Sequence, residues 1–188
     1  MQEKTLYTIT VFSENVVGIL NQIAAIFTRR QMNIETLSVS PSAISGIHKF
    51  TITTFAATEE MMVKLVNQID KRVDVLKSYY NIDEDLVHQE IALYKIETSK
   101  LVATSSVEEL VRKHNARILD VSDHSTILQK TGHYEETQAL FEELSQTIGV
   151  LQFIRSGRVA ITKSKVERLS DLLKRRAQVD LENAEINN

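Results

Sequence analysis

The chain has 188 residues, 43% hydrophobic and 25% charged, with a net charge of -3. That composition suits one medium domain or two small ones and excludes disorder over most of the length. The absence of cysteine excludes disulfide scaffolds, thiolate metal sites and cysteine nucleophiles, and the acidic balance with no Trp demotes nucleic-acid binding.

The N-terminus has Glu3 and Lys4 before a strand-like run and no apolar signal core, so no export signal is expected. The longest apolar runs, 16–20 and 23–27, are about a quarter of what a membrane span needs. A cytoplasmic location is the expectation.

Residues 5–12 alternate, with Tyr7, Ile9 and Val11 on one side and Thr8 and Thr10 on the other, which predicts a strand with one buried face. Ser13-Glu14-Asn15 interrupts it. Ile19, Leu20, Ile23, Ala24, Ile26 and Phe27 then recur at helical spacing, and the helix is expected to end near Gln31. Residues 33–40 read as a second strand and 47–55 as a third, with Phe50 and Ile52 inward, joined by a loop of about six residues. Thr58 is a helix cap, followed by Glu59-Glu60 and an apolar stripe of Met62, Leu65, Val66 and Ile69. Lys71-Arg72 close that helix, and 73–77 is a fourth strand. The order is β-α-β-β-α-β, the ferredoxin-like pattern.

Residues 79–87 read as an acidic linker, after which the order restarts. A strand at 89–98 precedes a helix capped by Ser105 or Ser106 and carrying Val107, Leu110 and Val111. Short strands follow at 117–121 and 125–129, then a helix at 135–146 and strands at 149–154 and 158–161. Residues 163–188 read as a charge-dense terminal helix. The expected fold class is α+β, two tandem ferredoxin-like βαββαβ domains at 1–80 and 88–162 with a helical tail at 163–188.

Motifs for nucleotide binding, serine hydrolysis or zinc hydrolysis are absent. The five histidines, at 48, 88, 114, 124 and 133, are scattered, and His124 and His133 fall at opposite ends of one strand. The acidic pairs Glu59-Glu60, Glu108-Glu109 and Glu135-Glu136 all sit in first helical turns, where the helix dipole explains them. These features point to a binding or regulatory protein with no metal and no catalytic residue.

The binding signature lies in Glu14-Asn15-Val16-Val17-Gly18-Ile19-Leu20, between the first strand and the first helix. A helix N-terminus offers free N–H groups to a carboxylate. Gly18 lets a ligand approach them, and Asn15 offers a donor and an acceptor to an amino-acid head group. The simpler alternative makes Asn15 a helix cap and Gly18 a packing glycine.

Glu14-Asn15-x-x-Gly18-x-Leu20, followed by Phe27-x-x-Arg30-x-x-Asn33-Ile34-Glu35-x-Leu37-x-Val39-x-Pro41, resembles the ACT domain of the acetolactate synthase (acetohydroxyacid synthase) small subunit. The resemblance continues at Val73-Asp74-Val75-Leu76, His88-x-Glu90-Ile91-x-Leu93-x-Lys95-Ile96, Ile118-x-Asp120-Val121 and Arg155-Ser156-Gly157. It covers 1–162. It implies an ACT domain first and a non-catalytic subunit that dimerises through it. Such a subunit activates a catalytic large subunit and confers feedback inhibition by valine or a related branched-chain amino acid. The effector residues it implies are Asn15, Val17, Gly18, Ile19, Leu20, Asn33 and Ile34, with Asn33 reaching the effector from the neighbouring protomer. On its own, Asn33 also fits a turn between helix and strand. Thiamine diphosphate, Mg2+ and FAD are implied in the catalytic partner and none in this chain.

The chain departs from many relatives in having Gln31-Met32 where they have Gly-Tyr, Val17 where they have Pro or Ser, and an unusual loop at 42–47. The readings that compete are an ACT-domain sensor for a different enzyme, an RNA-binding domain of the same topology, and an acylphosphatase-like enzyme. The last lacks an arginine in the first loop.

Overall fold

The computed structural model describes residues 4–103 and 105–164. Among them the chain forms two compact units, one of residues 4–87 with 161–164 and one of residues 88–160.

The first unit contains β1 (Thr5–Glu14), α1 (Ile19–Arg29), β2 (Thr36–Pro41), β3 (Ile47–Ala56), α2 (Glu59–Ile69) and β4 (Val75–Asn81). The strands form an antiparallel sheet in the order β2-β3-β1-β4, the ferredoxin-like arrangement. Tyr7, Ile9 and Val11 of β1 and Phe50 and Ile52 of β3 bury one face against Ile23, Ile26 and Phe27 of α1 and Met62, Leu65 and Ile69 of α2. The other face carries a row of threonines. Thr36 pairs with Thr53 and Thr53 with Thr8, and the Thr36 and Thr53 hydroxyls lie 2.7 Å apart. Thr8 and Thr53 are buried although the alternation put them on the polar side.

Element ends moved where side chains intervene. β1 runs on to Glu14. β2 begins three residues later than its β-branched content suggested: the Thr54 hydroxyl donates to Asn33 O at 2.6 Å and the Glu35 N–H to Thr53 O at 2.9 Å, holding 33–35 outside the strand. α1 ends at Arg29, and Gln31 takes the left-handed conformation with φ 53. The Met32 N–H bonds Phe27 O and the Gln31 N–H bonds Thr28 O, both at 3.0 Å, so a Schellman end forms without glycine.

α2 stops at Ile69, and Asp70 explains both that end and the displaced fourth strand. Its carboxylate accepts from the Ser78 N–H at 2.5 Å, the Ser78 hydroxyl at 2.7 Å and Lys77 Nζ at 3.0 Å. This pins β4 two residues later than 73–77, and 79–81, expected in the linker, are strand. Only a 3-10 turn at Asp83–Asp85 separates β4 from the next strand.

Further along the chain come β5 (Leu86–Glu97), α3 (Thr98–Ala103), α4 (Ser105–Lys113), β6 (Arg117–Val121), β7 (Ser125–Gly132), α5 (Tyr134–Thr147), β8 (Gln152–Arg155) and β9 (Val159–Thr162). The sheet order is β6-β7-β5-β8, with β9 also paired to β5. Ala92, Tyr94 and Ile96 of β5 bury against Val107, Leu140 and Leu144. The core here is partly polar. The Tyr94 hydroxyl donates to Thr137 O at 2.7 Å, and burial pushes the phenol's pKa upward. The buried Glu90 carboxylate accepts from the Thr137 hydroxyl and lies 3.3 Å from Arg155 Nε, whose guanidinium covers the Tyr134 ring at 4.1 Å.

Helix α3 had no sequence signal, β7 runs three residues further than expected, and β8 starts later because Gly149 turns the chain at φ 78. The side chains of Ser105 and Ser106 and the tail from 165 to 188 lie outside the described residues.

Two stability changes follow. Asp70→Ala removes a carboxylate that receives three donors and is expected to cost about 2 kcal/mol. Gln31→Gly relieves a left-handed non-glycine residue and is expected to gain about 0.5–1 kcal/mol. Urea unfolding of the two variants beside the parent chain checks both signs.

Candidate functional site

The junction between β1 and α1 is held by backbone bonds from two neighbouring segments. The Glu14 N–H donates to Asp74 O at 2.9 Å and the Asn15 N–H to Gly46 O at 3.0 Å. Asp74, before β4, belongs to the Val73-Asp74-Val75-Leu76 motif and Gly46 to the Ser45-Gly46 turn of the β2–β3 loop, but nothing in the sequence tied either to this junction. Gly18 is the helix N-cap, with φ 90 and ψ -6. The cap therefore falls three residues after Asn15, which corrects the simpler reading of Asn15 as the capping residue. A Cβ on Gly18 would meet nothing within 4 Å. The glycine is needed for its backbone conformation and leaves open space above the helix end.

No hydrogen bond occupies the N–H groups of Val17, Gly18, Leu20 or Asn21 among the described residues, and the Ile19 N–H reaches Val16 O only at 3.4 Å. The first turn contains no acidic side chain and no side chain caps it. The result is a set of converging donors at the positive end of α1 with no internal anion to satisfy them. Asn15 is exposed beside them.

The other predicted residues divide. Val17 projects fully into solvent and Leu20 is 41% exposed, so both are available to an apolar ligand side chain. Ile19 turns inward, 6% exposed, and serves the core. Ile34 packs against that same core. Asn33 is exposed, with its amide donating to Glu35 Oε1 at 2.9 Å.

Asn33 and Asn15 do not meet within one chain. Glu14 is opposite Ile47 at one end of β3, whereas Asn33 O is held by Thr54 near the other. At about 3.4 Å per residue the interval from Ile47 to Thr54 is roughly 24 Å. An amino-acid head group spans only a few ångströms.

Elsewhere, no group of three His, Asp or Glu converges as a metal site among the described residues. His124 and His133 flank β7 at its two ends. A polar cavity of about 290 Å3 in the second unit is lined by Asn115, Arg117, Gln129 and Thr131 and contains none of the predicted residues. No helix among the described residues is long and apolar enough to cross a membrane.

Comparison with known proteins gives two family matches. Residues 9–77 match the AHAS small subunit-like ACT domain, and residues 89–164 match the family described as small subunit of acetolactate synthase. The acetolactate synthase small subunit of Bacillus subtilis is 29% identical over 167 residues, covering 89% of this chain and 95% of that one. The Mycobacterium bovis small subunit is 31% identical over 163 residues, covering 87% and 95%. The solved small subunit from Thermotoga maritima superposes with a TM-score of 0.76 at 25% identity, covering 86% of this chain and 99% of that one.

The left-handed Gly18 makes a graded prediction. Gly18→Ala is expected to destabilise by about 1–2 kcal/mol for conformational reasons alone, and Gly18→Asn by less, because asparagine tolerates positive φ. Equal costs in chemical denaturation would mean that space rather than backbone angle decides the residue.

Proposed function

Because the chain belongs to the acetolactate synthase small-subunit family, we propose that it is the regulatory subunit of that enzyme. It activates a catalytic large subunit in branched-chain amino-acid biosynthesis and confers feedback inhibition by valine or a related amino acid. It contributes no catalytic residue, and thiamine diphosphate, Mg2+ and FAD belong to the large subunit. A cytoplasmic site of action goes with this role. On this reading the segment 1–80 is the effector-binding and dimerising domain and 88–162 the second domain.

One observation carries the reading: the unpaired amides around Gly18 with open space above them. The effector's carboxylate sits on the N–H groups of Val17, Gly18, Leu20 and Asn21, where partial positive charge favours it. Asn15 bonds the head group, and the exposed Val17 and Leu20 side chains take the branched apolar part.

The distance between Asn15 and Asn33 calls for a second copy. β2 is an edge strand, and its outer residues Val39, Ser40 and Pro41 are exposed. Antiparallel pairing of two β2 strands about a two-fold axis brings the start of one beside the end of the other. Asn33, before β2, then faces the partner's β1–α1 junction, which lies at the level of Pro41 and His48. Each dimer carries two such sites.

Regulation follows as linkage. The effector binds one state of the dimer better, and that state supports the catalytic subunit less. A coupling of about 1–3 kcal/mol, roughly 5–150-fold, is the usual scale.

Mixing the purified chain with its large subunit should raise acetolactate formation, and valine, leucine or isoleucine should lower it again. No stimulation would refute the role. Gly18→Asp puts a side-chain carboxylate where the effector's own belongs and should abolish the inhibition, with co-elution of the two subunits verifying assembly. Normal inhibition of that variant would refute the site.

A further inference from the structure

In the second unit, Tyr94 of β5 is opposite Leu128 of β7, and both pack against α4 and α5. Side chains alternate along a strand, so Leu93 with Gln129, and Ile91 with Thr131, point to the other face of the sheet. Arg117 of β6 is opposite Gln129 and joins that face. Asn115 stands two residues before it, in the turn after α4, with φ 50. These residues, Asn115, Arg117, Gln129 and Thr131, line the polar cavity of about 290 Å3. That is the small end of the range for ligand pockets.

The corner that carries Asn115 is fixed from the helix side. Lys130, 6% exposed, donates from Nζ to His114 O at 2.8 Å. The Ala116 N–H donates to Val111 O at 2.8 Å and the Asn115 N–H to Arg112 O at 3.1 Å. The charge of Lys130 thus serves the frame, while that of Arg117 is left to the cavity. No hydrogen bond or ion pair engages the Arg117 guanidinium or the Asn115 amide among the described residues, and Asp120, further along the same strand, does not pair with Arg117. Gln129 Nε2 donates to Thr131 Oγ1 at 3.1 Å. This leaves Gln129 Oε1 as an acceptor and the Thr131 O–H as a donor.

The lining therefore offers one permanent positive charge, a planar fork of N–H groups, two neutral donors and a neutral acceptor. A guanidinium fork matches the two oxygens of a carboxylate, and one cation balances its single charge. The acceptor calls for a hydroxyl on the same molecule. No apolar side chain lines the cavity, which sets it apart from a site for branched aliphatic side chains.

We propose that this cavity binds a small hydroxylated carboxylate. Arg117 holds the carboxylate, Asn115 and Thr131 donate to it, and Gln129 Oε1 accepts from the hydroxyl. The site stands apart from the effector junction and does not depend on it.

The test is 1H–15N NMR of the full chain at fixed ionic strength, titrated with L-lactate, acetate, inorganic phosphate and L-valine. Lactate should shift the side-chain amide signals of Asn115 and Gln129 saturably, with a dissociation constant on the order of 1 mM, the scale of a few exposed polar bonds. Acetate, without the hydroxyl, should bind about threefold or more weakly, and valine should leave these signals unmoved. Arg117 is exposed, so Arg117→Met should keep the parental spectrum elsewhere and weaken lactate binding at least about tenfold. Arg117→Lys, with the charge but not the fork, should fall between. The proposal is overturned if lactate gives no saturable shift, if its shifts fall only around Gly18, or if Arg117→Met binds it as the parent does. Phosphate binding as tightly as lactate would overturn the carboxylate assignment, and acetate binding as tightly would overturn the role of Gln129.

Discussion

The pairing of β1 with β3, unbroken from Thr5 opposite Ala56 to Glu14 opposite Ile47, governs the first unit. It sets which side chains meet α1 and α2 and brings the threonine row into register. It also decides that the β1–α1 junction and the start of β2 occupy opposite ends of the sheet. A slip of one residue would exchange the faces of β1 and put Tyr7, Ile9 and Val11 on the wrong side. Deep burial of Ile9, Val11 and Ile52, each 0% exposed, opposes that slip.

Side-chain clamps then secure the helices to this pair. Arg30, part of the family motif, donates from Nε to Gln68 Oε1 at 2.8 Å and from Nη2 to Lys64 O at 3.1 Å, tying the end of α1 to α2. Asp70 performs the same service between α2 and β4. In the second unit the Arg155-Ser156-Gly157 motif also has a structural use. Ser156 exchanges bonds with Ile91, accepting its N–H on the hydroxyl and donating its own N–H to the Ile91 carbonyl. Arg155 meanwhile shares the buried carboxylate of Glu90. Motifs that carry a resemblance need not touch a ligand.

The fold class was legible because alternation in β1 and β3 and the apolar stripes of α1 and α2 are local signals. The ends of β2 and β4 were not. They depend on Thr54 reaching back to Asn33 and Asp70 reaching forward to Ser78, contacts between residues 21 and 8 positions apart. Tyr79 to Asn81 looked like linker because three acidic residues follow closely. α3 has no apolar periodicity to announce it. At the junction, the chain's Gly18 and Asn15 stood out, but the position of the cap did not, since only φ distinguishes a capping glycine from a packing one.

The separation of Asn15 from Asn33 has a thermodynamic corollary on the proposed reading. If each chain holds half of a binding site, ligand and partner are reciprocal effectors: whatever tightens one association tightens the other. Dilution then acts as an antagonist of the amino acid, and the amino acid acts as a glue between subunits. Sensitivity to the pathway's end product would be set by the abundance of the regulator as well as by the chemistry of its crevice.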